Sequence, residues 1–423
     1  MKKSLREVIY RRKDCRACAS GELDLIFALK PTPIGDAFVT EDRVGKEQPL
    51  YPIDLFMCRS CGLAQLLDVI DPDLLYGDYL YVTGSSFGLG EHFAAYARHV
   101  VTRCKLSPRS LVVDLGSNDG TLLRPFQGLE MKVLGVEPAS HIAAEATRTG
   151  VLTYGEYFTP ELAKRIVAEH GRAKAVTANN VFANIDELQP WAVGINELLA
   201  PDGVFIFESF YLADLVKNMV FDFIYHEHLT AFSVKPVRAL FEKVGLQLIA
   251  IERVPTKGGS LRYFIQRLGG PLADDGSVTD LLAYEEKCRL YDKQTYVAFA
   301  AKIDRLKQST REYLAKVKAA KKTVAAFGAS ITGTTLIYHF EIGDYIDFMV
   351  DDNPAKVGRF SPGLHIPVLA SSALEEKRPE CVVTLAWRYA DHFMSLHEEY
   401  VASGGKFVVP VPEFRVVTSE TSR

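Results

Sequence analysis

Val112-Val-Asp-Leu-Gly-Ser-Asn-Asp-Gly-Thr-Leu-Leu123 is the stretch on which the fold turns. An apolar run enters a glycine-rich turn and leaves it as a helix-like segment, the opening of a Rossmann-like α/β unit. Gly116 and Gly120 let backbone amides approach a ligand where any Cβ would clash. Asn118 stands where dinucleotide enzymes carry their middle glycine, and Asn is a residue that tolerates left-handed geometry. Glu137, in Gly135-Val-Glu-Pro-Ala-Ser, closes the next apolar run about 20 residues on, where a carboxylate receives ribose hydroxyls.

A dinucleotide site would use the same carboxylate. The D-x-G-x-N-x-G form, Asp114 to Gly120, suits instead a small sulfonium with its amino-acid tail, so S-adenosylmethionine is the expected cofactor. Asp114, Gly116, Ser117, Asn118, Gly120, Glu137 and Pro138 are its candidate contacts, joined by Asn179 and Asn180 after the fourth apolar run. Phe158, beside Tyr157, is an adenine-stacking or core aromatic.

Outward from this stretch, Ser110–Leu115, Lys132–Glu137, Ala175–Ala178 and Gly203–Glu208 read as buried parallel strands between helices. Three zones follow: residues 1–70, 71–270 and 271–423, with a helical connection over about 273–320. The fold class is α/β, a Rossmann-like methyltransferase domain between a small N-terminal metal domain and a second Rossmann-like domain. The latter starts at Thr323-Val-Ala-Ala-Phe-Gly.

The first zone holds Cys15-Arg-Ala-Cys18 and Cys58-Arg-Ser-Cys61. Each pair can place two thiolates on one tight loop, and four soft ligands without a neighbouring histidine predict a closed, structural zinc site. Cys104, Cys288 and Cys381 are isolated and read as ordinary thiols. A zinc module also suggests a nucleic-acid ribbon, but the formal net charge of −4 leaves no basic footprint. No apolar run is long enough for a membrane span and no signal peptide precedes the metal domain, so a cytoplasmic protein is expected.

Over nearly its whole length the chain resembles the sugar C-methyltransferases that branch deoxysugars. The likeness rests on the CxxC pairs, Tyr79-Leu-Tyr81, DLGSNDGTLL, GVEPAS, FDFIYHEHLTAFS, GGSLR at Gly258–Arg262, FGASITGTTLIYHF and VDDNPAKVGRFSPGLHIPV. It implies methylation of a carbon, C3 being expected, beside the ketone of a nucleotide-linked 4-keto-6-deoxysugar, dTDP being the expected carrier. Such chemistry needs an α-proton removed to form an enolate, and an imidazole suits that task near neutral pH. The resemblance makes Tyr225, Glu227 and His228 active-site positions, with His228 or Tyr225 as base, and adds Tyr81 to them and Tyr79 to the cofactor site.

The sequence also departs from the family. Asn184 replaces a histidine four residues after Asn180, Lys257 replaces a histidine before the Gly-Gly pair, and Thr332 replaces a lysine. Asn184 can hydrogen-bond an oxyanion but cannot shuttle a proton. In the C-terminal zone, Gly328, Ala329 and Ser330 are expected to meet the substrate diphosphate, with Lys257, Arg262, Lys356, Arg359 and His365 as supporting groups. Trp387 lines the cleft or fills the core. The alternatives are O- or N-methyl transfer to a glycan precursor, or a zinc-containing nucleotide-sugar-binding protein without turnover. A monomer is expected.

Overall fold

The computed structural model describes residues 8–76 and 89–420; Tyr79 and Tyr81 lie outside them. The N-terminal unit contains β1 (Ile9–Arg11), β2 (Leu23–Phe27), β3 (Leu55–Cys58), β4 (Ala64–Leu66) and β5 (Asp68–Ile70). β1 and β5 pair antiparallel, while β2, β3 and β4 form an antiparallel meander.

The central domain follows a helix over Leu89–Arg103 and contributes β6 (Leu111–Leu115), β7 (Lys132–Val136), β8 (Thr153–Tyr154), β9 (Ala173–Asn179) and β10 (Leu199–Phe210). After β11 (Thr230–Ala231) come β12 (Leu246–Val254) and β13 (Ser260–Arg267). The seven-stranded sheet has the order β12-β13-β10-β9-β6-β7-β8, with β13 antiparallel to both neighbours. The core strands β6 and β9 are apolar on both faces because helices cover both sides. The chain reverses direction beside β6, and ligands in such sheets lie at that switch point, beyond the carboxyl ends of the strands.

β11 is not part of this sheet. It pairs antiparallel with β4, Thr230 opposite Gln65, and so completes the sheet of the N-terminal unit. Just before β11 runs the Tyr225–His228 turn. Beneath it lies an aromatic cluster: Phe182 stacks on Phe232 at 5.3 Å and meets Phe207 at 4.8 Å, and Phe207 stacks on Tyr263 at 4.4 Å. Offset aromatic packing of this kind adds to area burial and fixes geometry.

The expected helical connection consists of two helices, Ser277–Lys287 and Lys293–Ala319. The longer one is no free spacer. Its Phe299 packs on Phe27 of β2 at 5.1 Å, and Tyr296, Ile303 and Leu314 are buried. Beyond it, β14 (Val324–Phe327), β15 (Phe348–Val350), β16 (Val368–Leu369), β17 (Cys381–Thr384), β18 (Lys406–Val409) and β19 (Arg415–Val417) form a second sheet, order β16-β15-β14-β17-β18-β19. Only β19 is antiparallel to its neighbour. Among the described residues no helix is long and apolar enough to cross a membrane.

Candidate active site

The four paired cysteines converge. Their sulfurs all lie within 4.8 Å of one another, with Cys15–Cys61 and Cys18–Cys58 at 3.5 Å. Four thiolates on one zinc ion at ~2.3 Å would be spaced by ~3.8 Å, so the set fits a tetrahedral ion. Both knuckles are built alike. Ala19 N–H donates to Cys15 O and Gly62 N–H to Cys58 O, each at 2.8 Å, and both closing residues have positive φ, 62° and 83°. Glycine is required at the second, where a Cβ would lie 2.6 Å from the Tyr291 ring. Arg16, inside the first knuckle, is buried and donates to Asp186 at 2.9 Å, just past Asn184, and to the Leu66 carbonyl.

At the switch point of the central sheet, Gly116 (φ 74°) and Asn118 (φ 48°) adopt the left-handed geometry their residue types favour. A Cβ on Gly116 would come within 2.8 Å of Val181, so the turn sits tight against the loop after β9. Glu137 ends β7. Its carboxylate accepts from Asn118 N–H at 3.0 Å and Ala139 N–H at 2.9 Å, and burial raises its pKa above the ordinary carboxylate value. Asp114 is buried and accepts from the Thr177 hydroxyl at 2.5 Å, tying β6 to β9; burial pushes it up to about 7. Ser117 Oγ and Asn184 Oδ1 are buried without a hydrogen-bond partner among the described residues. Such atoms are costly unless a ligand or water completes them.

Asn179 sits opposite Glu208 across the parallel β9–β10 ladder and accepts from Glu208 N–H at 3.1 Å; Asn180, at φ 58°, donates its N–H to Glu208 O. Pro138 lies between Glu137 and Ala139 at the same edge. Phe158 is buried against Trp191, centroids 5.1 Å apart, and faces Gly194. It therefore belongs to the core. The open aromatic of the pair is Tyr157, 49% exposed and within electrostatic reach of Glu137.

The turn before β11 gathers Tyr225, Glu227 and His228. His228 is buried in an aromatic nest: Tyr225 at 4.0 Å, Phe210 at 4.8 Å and Phe223 at 5.8 Å between ring centroids. Its Nδ1 lies 2.8 Å from the Phe223 carbonyl, and its Nε2 lies 2.9 Å from the Tyr225 hydroxyl. A carbonyl can only accept, so Nδ1 carries the proton and Nε2 offers its lone pair to the phenol. Burial, helped by the Lys257 charge, lowers the imidazole to about 3, well below the near-neutral value expected from the sequence, so the ring is neutral across the physiological range. His226 turns the other way, toward Tyr51 O at 3.3 Å in the N-terminal unit.

Glu227, half-buried, stands where the three domains meet. Burial first, then Asp36 of the N-terminal unit, raises it to about 7, while Lys257 and Lys356 oppose the rise. Lys257 (φ 55°) feels Glu227 and Glu208, and burial brings it down to about 8. Lys356 bridges Asp36 and the Ala329 carbonyl, 2.7 Å to each.

The remaining sequence candidates divide. The Gly328 loop repeats the logic of the first: Gly328 has φ 99°, and Ala329 N–H donates to Asp351 after β15 at 2.8 Å, as Asn118 does to Glu137. Ser330 Oγ caps the following helix through Gly333 N–H, and Thr332 lies 3.1 Å from it. Arg262 is buried, stacked over Tyr96 at 4.5 Å, and its guanidinium is taken up by Glu208 and Glu252. His365 accepts from Gly45 N–H at 3.1 Å, joining the C-terminal domain to the N-terminal unit, and Arg359 lies half-buried on the same loop. Trp387 is both packed and cavity-lining. It is buried and donates to Asp222 at 3.1 Å, and it lines a cavity of about 470 Å³ with Lys257, Arg388 and Arg415. Sequence reasoning missed Asp36, Asp222 and Arg388; Asp222 stands inside the FDFIYHEHLTAFS word, but its partners Trp387 and Arg388 are more than 160 residues away.

Strand order, the left-handed Gly-Asn-Gly turn and the acidic residue after the second strand define a class I methyltransferase. Residues 89–251 match the methyltransferase domain family, residues 15–76 a zinc binding domain family, and residues 255–412 the C-methyltransferase C-terminal domain. The chain is 33% identical to the C-methyltransferase NovU of Streptomyces niveus over 420 residues, 99% of this chain and 100% of NovU. It belongs to this family of C-methyltransferases, and its cofactors are S-adenosylmethionine and zinc. Among solved structures, the PH0226 protein of Pyrococcus horikoshii OT3 is 16% identical, TM-score 0.37, covering 45% of this chain and 97% of that one. Magnesium protoporphyrin IX methyltransferase of Synechocystis PCC 6803 is 15% identical, TM-score 0.32, covering 42% and 79%.

Proposed function

We propose that this C-methyltransferase acts on a nucleotide-linked 4-keto-6-deoxysugar, at the carbon next to the ketone, through an enolate. The observation that carries the reading is the Tyr225–His228 couple. A neutral imidazole whose Nδ1 proton is committed to a carbonyl accepts a proton only at Nε2, and there it meets a phenol. Tyr225 Oη takes the α-proton of the substrate as its own proton passes to His228 Nε2, leaving an enolate whose carbon is the nucleophile. S-adenosylmethionine, when bound, supplies the methyl group. Glu227 and Lys257 flank the couple with opposite charges, suited to a sugar hydroxyl and to the developing oxyanion. Asn184, whose buried oxygen has no partner among the described residues, is a further hydrogen-bonding group.

The nucleotide diphosphate is assigned to the cleft between the central and C-terminal domains. Support comes from Lys257 and Arg415, which line the cavity there, and from the Gly328 loop, whose Ala329 carbonyl receives Lys356. All three domains border Glu227, so one chain encloses the site and a monomer suffices. The test is turnover of purified protein with S-adenosylmethionine and a panel of dTDP-, GDP- and CDP-linked 4-keto-6-deoxysugars. A product heavier by one methylene is expected, with the dTDP sugar preferred. Cofactor binding with no product from any member would overturn the assignment.

A further inference from the structure

The turn that carries the Tyr225–His228 couple is held from outside its own domain. Asp222, three residues before Tyr225, is fully buried. A carboxylate in that position must be compensated or it unfolds its surroundings. Its partners both come from the C-terminal domain: Trp387 Nε1 donates at 3.1 Å, and Arg388 Nη1 reaches the two oxygens at 3.1 and 3.0 Å. The same guanidinium lies over the Phe223 ring, 4.4 Å from its centroid. Phe223 in turn stacks on His228 and offers the carbonyl that receives His228 Nδ1–H. Arg388, Phe223 and His228 thus form a stack in which the middle residue touches both ends. Asp222 and Phe223 share one short 3-10 turn, Phe221–Phe223, so a displacement of the first moves the carbonyl of the second.

We infer that Arg388 is a positioning residue: by holding Asp222 and Phe223, the C-terminal domain sets the tautomer and orientation of His228. This rests on the reading of His228 as proton acceptor. Among the described residues the Phe223 carbonyl is the hydrogen-bond partner of His228 Nδ1, so the tautomer depends on where it stands. Outer partners that orient a reacting histidine typically matter by about ten- to hundredfold when removed, and small misplacements of a reacting group have similar effects. The arrangement also makes the central domain's proton acceptor depend on correct docking of the domain that borders the substrate cleft.

The test uses the full-length protein labelled with 15N-histidine, with His228 signals assigned by comparison with His228→Gln. In the wild type, Nδ1 should be protonated and Nε2 unprotonated. Arg388→Gln should produce a tautomer mixture and lower kcat by about ten- to hundredfold with KM within a few-fold, and Arg388→Lys should recover part of both. Because Asp222 loses its counter-ion in Arg388→Gln, the charge-free pair Asp222→Asn/Arg388→Gln carries the same expectation if the single variant does not fold. An unchanged His228 tautomer in a folded variant overturns the inference, as does a raised KM at constant kcat, which would make Arg388 a substrate contact. The NMR readout needs no substrate, so failure of the keto-sugar assignment and failure of this inference are distinguishable.

Discussion

Leu66 of β4 donates its backbone N–H to the carbonyl of Leu229 at 2.9 Å, one residue beyond His228. Through that bond and the β4–β11 pairing, the zinc unit shares one sheet with the strand that follows the Tyr225–His228 turn. Two of the four ligands lie on the same hairpin, Cys58 at the end of β3 and Cys61 before β4. Folding energy supplied by the metal is therefore delivered to the segment that holds Tyr225 and His228.

Zinc loss should accordingly disable chemistry before it disables cofactor binding. In Cys58→Ser, we expect loss of stoichiometric zinc, a fall in kcat of at least about a hundredfold, and S-adenosylmethionine affinity within a few-fold of wild type. Metal analysis, turnover and calorimetry on one preparation check this. Full activity in a zinc-free protein would separate the two sites.

Glu137 holds the Gly116–Gly120 turn by accepting from Asn118 and Ala139, and it is the carboxylate the sequence assigns to the ribose hydroxyls. Hydrogen bonds to a charged group contribute about 1.5–3 kcal/mol. Glu137→Gln should thus weaken S-adenosylmethionine binding by about ten- to hundredfold while leaving the tautomer of His228 unchanged. Calorimetric titration reads the first and 15N shifts the second.

The acid limb of the kcat/KM profile should come from Glu227 and not from His228. Burial lifts Glu227 to about 7, whereas His228 is pressed to about 3 and does not titrate near neutrality. Activity falls as pH drops through about 7 in the wild type, and Glu227→Gln flattens that limb at a lower plateau. Stability runs the other way. The folded pKa of Glu227 is raised above its ordinary 4.5, so the native chain holds this proton more tightly than the unfolded one, and stability from it is lost as pH rises through about 7. Glu227→Gln should then melt above wild type at pH 8 and close to it at pH 4.

Local words made much of this site legible. The Gly116–Gly120 turn and Glu137 lie on contiguous strand–turn–helix segments, where residue type and backbone conformation dictate each other. The cysteine pairs were readable because metal chemistry demands their spacing. Adjacent ionisable residues in the apolar stretch around His228 also announced a purpose. What could not be read was through-space pairing. Thr230-Ala231 has nothing in its composition that assigns it to a sheet more than 160 residues earlier in the chain. Asp222 and Arg388 are likewise separated by 166 positions. Phe158 and Tyr157 show the limit within a motif: adjacent aromatics on an extended segment face opposite ways, and only packing against Trp191 decides which is core.

Enolisation by the Tyr225–His228 couple is the central claim, and solvent exchange tests it most directly. The protein would be incubated in deuterium oxide with the accepted keto sugar and S-adenosylhomocysteine, so that no methyl group can be transferred, and the α-carbon followed by NMR. The account predicts deuterium entering that carbon with wild-type protein and a rate at least about a hundredfold lower for both Tyr225→Phe and His228→Ala. Exchange at the wild-type rate in either variant, or methyl transfer by the wild type with no exchange at all, would contradict it.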